Sequence, residues 1–288
     1  MSEPRTWETG TTELAPGVFA YVQATGGHCI ANAGIIAGRD GATVVDALFT
    51  PAMTRALLDE TRRVAPGEIA RLLNTHHHLD HTLGNGGFPA STQIISHARA
   101  RAEMERVGMP IAAFTASVPH FAEEVRGIEP RLPDRTFEGG ALELDAGGTR
   151  VRLLHFGTAH TRGDILVHLP EQRLLFAGDL AFFYVTPLAF EGHIGKWIAV
   201  CKRIIAEFAD CAIVPGHGPV GGAGELAKMT DYLERVHAHA TEAFRAGVSA
   251  EEAAHAFELG EYAAWNEEER VVANVRRVYQ ELRGEIDV

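Results

Sequence analysis

Thr75-His76-His77-His78-Leu79-Asp80-His81 places four histidines and an aspartate within seven residues, directly after the short buried strand expected over Ile69 to Asn74. In an extended segment, side chains two apart share a face, so His76 and His78 converge while His77 points away. Thr82-Leu83-Gly84-Asn85 reads as the turn into a helix. That turn brings Asp80 and His81 round to face a neighbouring point. Two adjacent sets of ligand-type side chains in six residues predict a dinuclear metal site.

Three later positions extend the pattern. His160 lies in Gly157-Thr158-Ala159-His160-Thr161-Arg162-Gly163-Asp164, a loop after the strand expected over Arg150 to His155. Asp179 closes Leu174-Leu175-Phe176-Ala177-Gly178-Asp179, and His217 closes Val214-Pro215-Gly216-His217-Gly218. Each is a metal-binding residue type at an expected strand end beside glycine, where backbone can pass close to a crowded centre.

The surrounding chain reads as strands and helices of a single α/β unit. Short apolar runs bounded by glycine predict strands at Gly17 to Val22, Ala31 to Ala37, Ala42 to Asp46, Ile94 to Ser96, Leu142 to Leu144, Asp164 to Leu169 and Ala212 to Val214. Pro51 to Ala65 and His97 to Val107 read as helices, the first with proline in its opening turn. Residues 108–135, with Pro110, Pro119, Pro130 and Pro133 among Phe114, Phe121 and Val125, read as a loosely helical excursion that covers a site. Two strand-rich halves without a short repeat predict two β-layers flanked by helices over residues 1–223. Residues 224–288 change to helical periodicity and read as an extension packed on that sandwich. Ser249 with Glu252 forms a capping box there, and Asn266 with Glu267-Glu268-Glu269-Arg270 reads as the solvated, capped start of a last helix.

Composition narrows the function. Lys plus Arg number 26 against 38 Asp plus Glu, a formal net charge of −12 over 288 residues, which argues against a nucleic-acid partner. There is no apolar run of about 18 residues, so no membrane-spanning helix is expected. The N-terminus has neither a basic nor an apolar leader segment, and Cys29, Cys201 and Cys211 form no paired motif. Both features point to a reduced, cytoplasmic setting. Oligomeric state is open.

The chain resembles the metallo-β-lactamase fold superfamily. His76-x-His78-x-Asp80-His81, then His160, Asp179 and His217, stand in the order of that family's metal positions. The resemblance implies a four-layer αββα sandwich with the site at one edge. It assigns His76, His78 and His160 to one metal, Asp80, His81 and His217 to a second, and Asp179 to both. The position of Asp179 is a cysteine in the lactamases of the first two classes. The segment after it, Leu180-Ala181-Phe182-Phe183-Tyr184, differs from the Cys-Gly-Arg of glyoxalase II and puts Phe182 where homoserine-lactone lactonases carry tyrosine. Asn32-Ala33-Gly34-Ile35, Val185-Thr186-Pro187, Gly216-His217-Gly218-Pro219-Val220 and Val272-Ala273-Asn274 look most similar to ring cyclase/thioesterases of aromatic polyketide pathways and their bacterial relatives.

Imidazole and carboxylate ligands suit two zinc ions, and iron or manganese also fit the donor set. Such a pair generates hydroxide near neutral pH. The expected reaction is attack of a metal-bridging hydroxide on an ester-like carbonyl (thioester, ester or lactone), with Asp80 orienting it and shuttling the proton. A cyclase using the same metals is the alternative. A β-lactamase and an iron-dependent persulfide oxygenase rank below it. Asp46, ending a strand beside the motif, is expected either to hold a ligating histidine or to cap the helix after it. His28, Phe182 and Tyr184 are candidate contacts for a small-molecule substrate with an apolar or aromatic acyl group.

Overall fold

A computed structural model describes residues 6–107, 111, 116 and 118–286. The first sheet runs β1(Gly10–Ala15), β2(Val18–Val22), β3(Ala33–Ile36), β4(Ala42–Val45), β5(Ile69–Leu73), β6(Gln93–His97) and β7(Arg135–Phe137), each beside the next. It is antiparallel from β1 to β4 and parallel from β4 to β7. The second sheet contains β8(Ala141–Asp145), β9(Arg150–Leu154), β10(Leu166–Leu169), β11(Leu174–Phe182) and β12(Ala212–His217), in the order β12-β11-β10-β9-β8. Strands β11 and β12 are parallel and the other pairs antiparallel.

Period-2 alternation splits the central strands between two cores. Val45, Leu73 and Ile95 face Leu153, Val167, Phe176 and Val214 between the sheets. Val44, Leu72 and Ile94 face the other way, onto Leu57 and Leu58 of α1(Pro51–Val64). The outer face of the second sheet is covered by α4(Ile194–Glu207), α5(Ala223–Arg245) and α7(Val271–Leu282), through Trp197, Ile204, Leu226, Met229, Val275 and Tyr279. The result is the expected αββα sandwich, and the C-terminal helices share that outer core. Two short helices, α2(Leu79–Thr82) and α3(Ala98–Val107), follow β5 and β6, and α6(Ala250–Ala256) opens on the expected Ser249–Glu252 capping box.

Several elements differ from the sequence reading. Helix α4 lies outside the expected elements, although Trp197, Val200, Cys201 and Ile204 recur at helical spacing. Strand β11 does not stop at Asp179. It continues to Phe182, with register shifts against β12 on either side of Gly178, which has φ +48°. The last helix is not capped by Asn266. That side chain donates to Thr25 O at 2.8 Å, a short 3-10 turn spans Glu268–Arg270, and α7 begins after it. Phe114 lies outside the described residues. The described part of the 108–135 excursion packs Val118, Phe121 and Val125 against Phe49, Leu79 and Leu83, behind α2.

Candidate metal centre

The chain leaves β5 through bends at residues 75–77, not as extended strand, and enters α2 with His78 as its N-cap. Asn74 and Asn85 lock this corner by exchanging side-chain amide hydrogen bonds of 3.0 and 2.9 Å. The His76 and His78 rings converge, with centroids 4.7 Å apart. His160 is presented by a loop that Asp164 closes, accepting from Thr161 N at 2.7 Å and Thr161 Oγ1 at 2.6 Å. His217 comes from the end of β12. Asp179 is aimed inward by the irregularity at Gly178, a common device for re-aiming a strand residue at a site. At Gly216 a Cβ atom would collide with Asp179 Oδ1, so only glycine lets β12 pass the carboxylate.

These side chains form one buried cluster with two halves. Asp179 Oδ2 lies 3.8 Å from His76 Nε2 and 3.3 Å from His160 Nε2, whose own distance to His78 Nδ1 is 3.0 Å. Asp179 Oδ1 lies 3.1 Å from His81 Nε2 and 3.5 Å from His217 Nε2. Asp80 Oδ2 completes the second half, 3.3 Å from His217 Nε2 and 3.9 Å from His81 Nε2. The structure thus brings together His76, His78, Asp80, His81, His160, Asp179 and His217, with one oxygen of Asp179 turned to each half.

Three imidazoles have the nitrogen away from the cluster hydrogen-bonded to a partner, which sets the nitrogen that faces inward. His81 Nδ1 lies 2.8 Å from Asp46 Oδ2, His76 Nδ1 3.1 Å from Thr75 Oγ1, and His217 Nδ1 3.1 Å from Gly26 O. His78 Nε2 faces Glu191 Oε1 at 3.1 Å. Asp46 also accepts from Thr75 N and Thr75 Oγ1, each at 2.8 Å. The helix that follows is capped by Thr50, whose side chain accepts from Met53 N, so of the two alternatives for Asp46 the structure places it on His81. His77 turns away from the cluster to Glu191 Oε1 at 3.2 Å.

The donor set fits a pair of divalent cations. His76 Nε2, His81 Nε2 and Asp179 Oδ1 are buried and close no hydrogen bond. Orphaned buried polar atoms are rare unless something else satisfies them. Burial alone would push the Asp179 carboxyl up, but His217 and His81 outweigh it and hold it well below the usual carboxylate range. Burial would likewise lower His81, yet Asp179, Asp46 and Asp80 hold it well above the ordinary imidazole value. His76 is pushed well below that value, chiefly by burial and then by His81.

A narrow cavity opens over the cluster, lined on its apolar side by Phe182, Leu188 and Phe190. Phe182 stacks on His217, with centroids 4.9 Å apart and planes at 6°, and Phe190 stacks on His78 at 4.7 Å. His28 lines the cavity and contacts Glu267 Oε2 at 3.3 Å. Tyr184 is not among the residues lining this cavity; its hydroxyl donates to Glu225 Oε1 at 3.3 Å. Cys29 also lines the cavity, but burial and then Asp80 push its thiol far up, so it stays protonated. Glu191, Leu188, Phe190 and Arg270 escaped sequence reasoning. Arg270 is buried in the cavity wall, not solvated at a helix start. No local pattern marks Glu191, and the only cue to Arg270 is one cation closing an acidic run.

The model of the metallo-beta-lactamase superfamily matches residues 26–217, and the chain belongs to that superfamily. Among curated proteins, it is 26% identical over 221 residues to the 2,4-dinitroanisole O-demethylase subunit alpha of Nocardioides sp. (strain JS1661), covering 74% of this chain and 60% of that one. It is 30% identical over 163 residues to hydroxyacylglutathione hydrolase of Rhizobium meliloti (strain 1021), covering 57% and 53%. The chain therefore spans only somewhat more than half the length of these relatives. Among solved structures, the inverting sec-alkylsulfatase Pisa1 from Pseudomonas sp. superposes with a TM-score of 0.72 at 19% identity, over 95% of this chain and 50% of that one. That likeness is one of fold and takes in the C-terminal helices. Among the described residues, no helix is long and apolar enough to cross a membrane.

Proposed function

We propose that the protein is a dinuclear metal-dependent hydrolase acting on an ester-like carbonyl: a thioester, ester or lactone. The observation that carries this reading is the division of Asp179 between two ligand halves, Oδ2 toward His76 and His160 and Oδ1 toward His81 and His217. His76, His78 and His160 would hold one ion, Asp80, His81 and His217 the other, and Asp179 both. Zinc suits this donor set and is redox-silent. Held there, two divalent ions would supply a water acidic enough to attack near neutral pH and an electrophile for the carbonyl oxygen.

The chain's own residues do the rest. Burial opposes ionisation of Asp80, but His81 and His217 hold its carboxyl below the ordinary range, so it presents an acceptor at the cavity floor. In that role it orients the attacking water and receives the proton that passes to the leaving group. Asp46 and Thr75 fix the rings of His81 and His76. Phe182, Leu188 and Phe190 exclude water and offer an apolar wall to the acyl group. The name of the Rhizobium relative, a hydroxyacylglutathione hydrolase, also favours an acyl substrate.

The test is a turnover screen of zinc-loaded protein on acyl-CoA thioesters, aryl esters, lactones and a β-lactam, with Asp80→Asn beside it. We expect hydrolysis of at least one ester-like class and its loss in the variant. Silence across the panel with two zinc ions bound would sink the ester-like assignment.

A further inference from the structure

The C-terminal extension delivers a cation to the metal cavity. Val185 and Asn266 form a parallel β-bridge, with Thr186 N donating to Asn266 O at 2.9 Å and Asn266 N to Tyr184 O at 3.0 Å. Asn266 Nδ2 ties the same turn to the loop after β2 through Thr25 O. Glu267 then sits at φ +62°, an uncommon conformation for a side-chain-bearing residue, and the turn carries Arg270 inward. Arg270 is only 4% exposed and lines the cavity together with Asp80, Asp179 and His217.

Its guanidinium is incompletely paired. Nη1 donates to Thr186 O at 3.0 Å, Nη2 lies 3.4 Å from Glu267 Oε2, and the buried Nε has no partner. Glu267 is itself shared with His28. A guanidinium does not deprotonate in proteins, so this is a permanent buried positive charge. Burial weighs against that charge, and Glu267, Asp179 and Asp80 offset it. Two divalent ions would outweigh Asp80 and Asp179, leaving Arg270 without that compensation beside a cavity of positive sign. An anion is what such a cavity lacks, and Arg binds carboxylates through its planar fork of donors.

We propose that Arg270 recognises a carboxylate on the substrate, so that the preferred substrates are acyl compounds carrying a second, free carboxylate near the scissile carbonyl. This rests on the ester-hydrolase reading of the same centre and narrows it: the apolar wall of Leu188 and Phe190 takes the chain, and Arg270 takes its charged end. In hydrolysis, water adds to the carbonyl, the bond to the alcohol or thiol breaks, and the free carboxylate is unchanged.

The experiment has two arms on zinc-loaded protein. In the first, glutaryl-CoA is compared with pentanoyl-CoA, and monophenyl glutarate with phenyl pentanoate, in the wild type, Arg270→Gln and Arg270→Lys. In the second, glutarate and pentanoate are titrated by calorimetry, which needs no turnover. We expect a preference of at least tenfold for the dicarboxylic member in both arms, erased in Arg270→Gln and partly kept in Arg270→Lys. Equal binding of glutarate and pentanoate by the wild type, or a preference that survives in Arg270→Gln, would overturn the proposal. If Arg270→Gln does not fold, the wild-type comparison still decides. A glutarate preference in calorimetry with no hydrolysis of any ester would keep the carboxylate site and refute the hydrolase reading instead.

Discussion

Asp46 is the sharpest place to test how the centre is built. Its buried carboxylate accepts from Thr75 N, Thr75 Oγ1 and His81 Nδ1, all at 2.8 Å. In Asp46→Ala, the Thr75 hydroxyl keeps His76 Nδ1 at 3.1 Å, while Thr75 N and His81 Nδ1 lose their partner. Two buried donors left unpaired cost about 1–3 kcal/mol each, so about 4 kcal/mol in sum. For a chain of this size, that lowers the melting temperature by on the order of 10 °C. Asp46→Asn separates folding from metal binding. The amide oxygen can still serve Thr75 N, but the amide nitrogen then faces His81 Nδ1, which must become an acceptor. The proton moves to Nε2, the atom 3.1 Å from Asp179 Oδ1. Loss of such an outer partner weakens a metal site by about 10–100-fold. The assay is thermal unfolding of the metal-free proteins, paired with zinc retention against a graded chelator. Asp46→Asn holding two zinc ions as tightly as the wild type would refute the tautomer argument. An Asp46→Ala melting temperature within about 2 °C of wild type would refute the stability argument.

Asp80→Asn should lower turnover at least about 100-fold while the metal-free protein melts near the wild-type temperature; full turnover with two metals bound would remove Asp80 from its role. Glu191→Gln should weaken the metal held by His78 about tenfold and shift the visible spectrum of the cobalt-loaded protein, because Glu191 Oε1 faces His78 Nε2 at 3.1 Å. His77→Ala should retain both metals, and loss of one would make His77 a ligand. Acidification should release the metal at Asp80, His81 and His217 first, read as stepwise zinc loss on dialysis. There Asp179 and its neighbours overcome burial to hold His81 and His217 above the ordinary imidazole value, so protons compete, whereas burial and then His81 hold His76 well below it. Burial, then His155, lowers His97 from 6.5 to about 4. Between those values the unfolded chain binds a proton that the folded chain does not, so stability falls as pH drops through that window. His97→Phe should flatten that limb of the melting-temperature profile, and an unchanged slope would show that His97 does not set it.

Much of the centre is legible in the sequence because its geometry is local. His76, His78, Asp80 and His81 lie within six residues at a strand-to-helix corner, which by itself keeps their side chains near one another. His160, Asp179 and His217 are legible by residue type and by glycine neighbours, and α1, α5 and α6 by apolar period and caps. The tertiary structure alone decided the rest, since contacts between distant segments leave no local periodicity. His78 meets Glu191, His81 meets Asp46, and Asp179 divides its oxygens between two halves only after the sheets have packed. The acidic run before α7 shows the limit most plainly. Residue type predicts a solvated helix start there, yet the bridge of Asn266 to Val185 folds Arg270 into the cavity wall. Whether a charge faces water or a metal site depends on which distant backbone satisfies its neighbours, and only the folded chain fixes that.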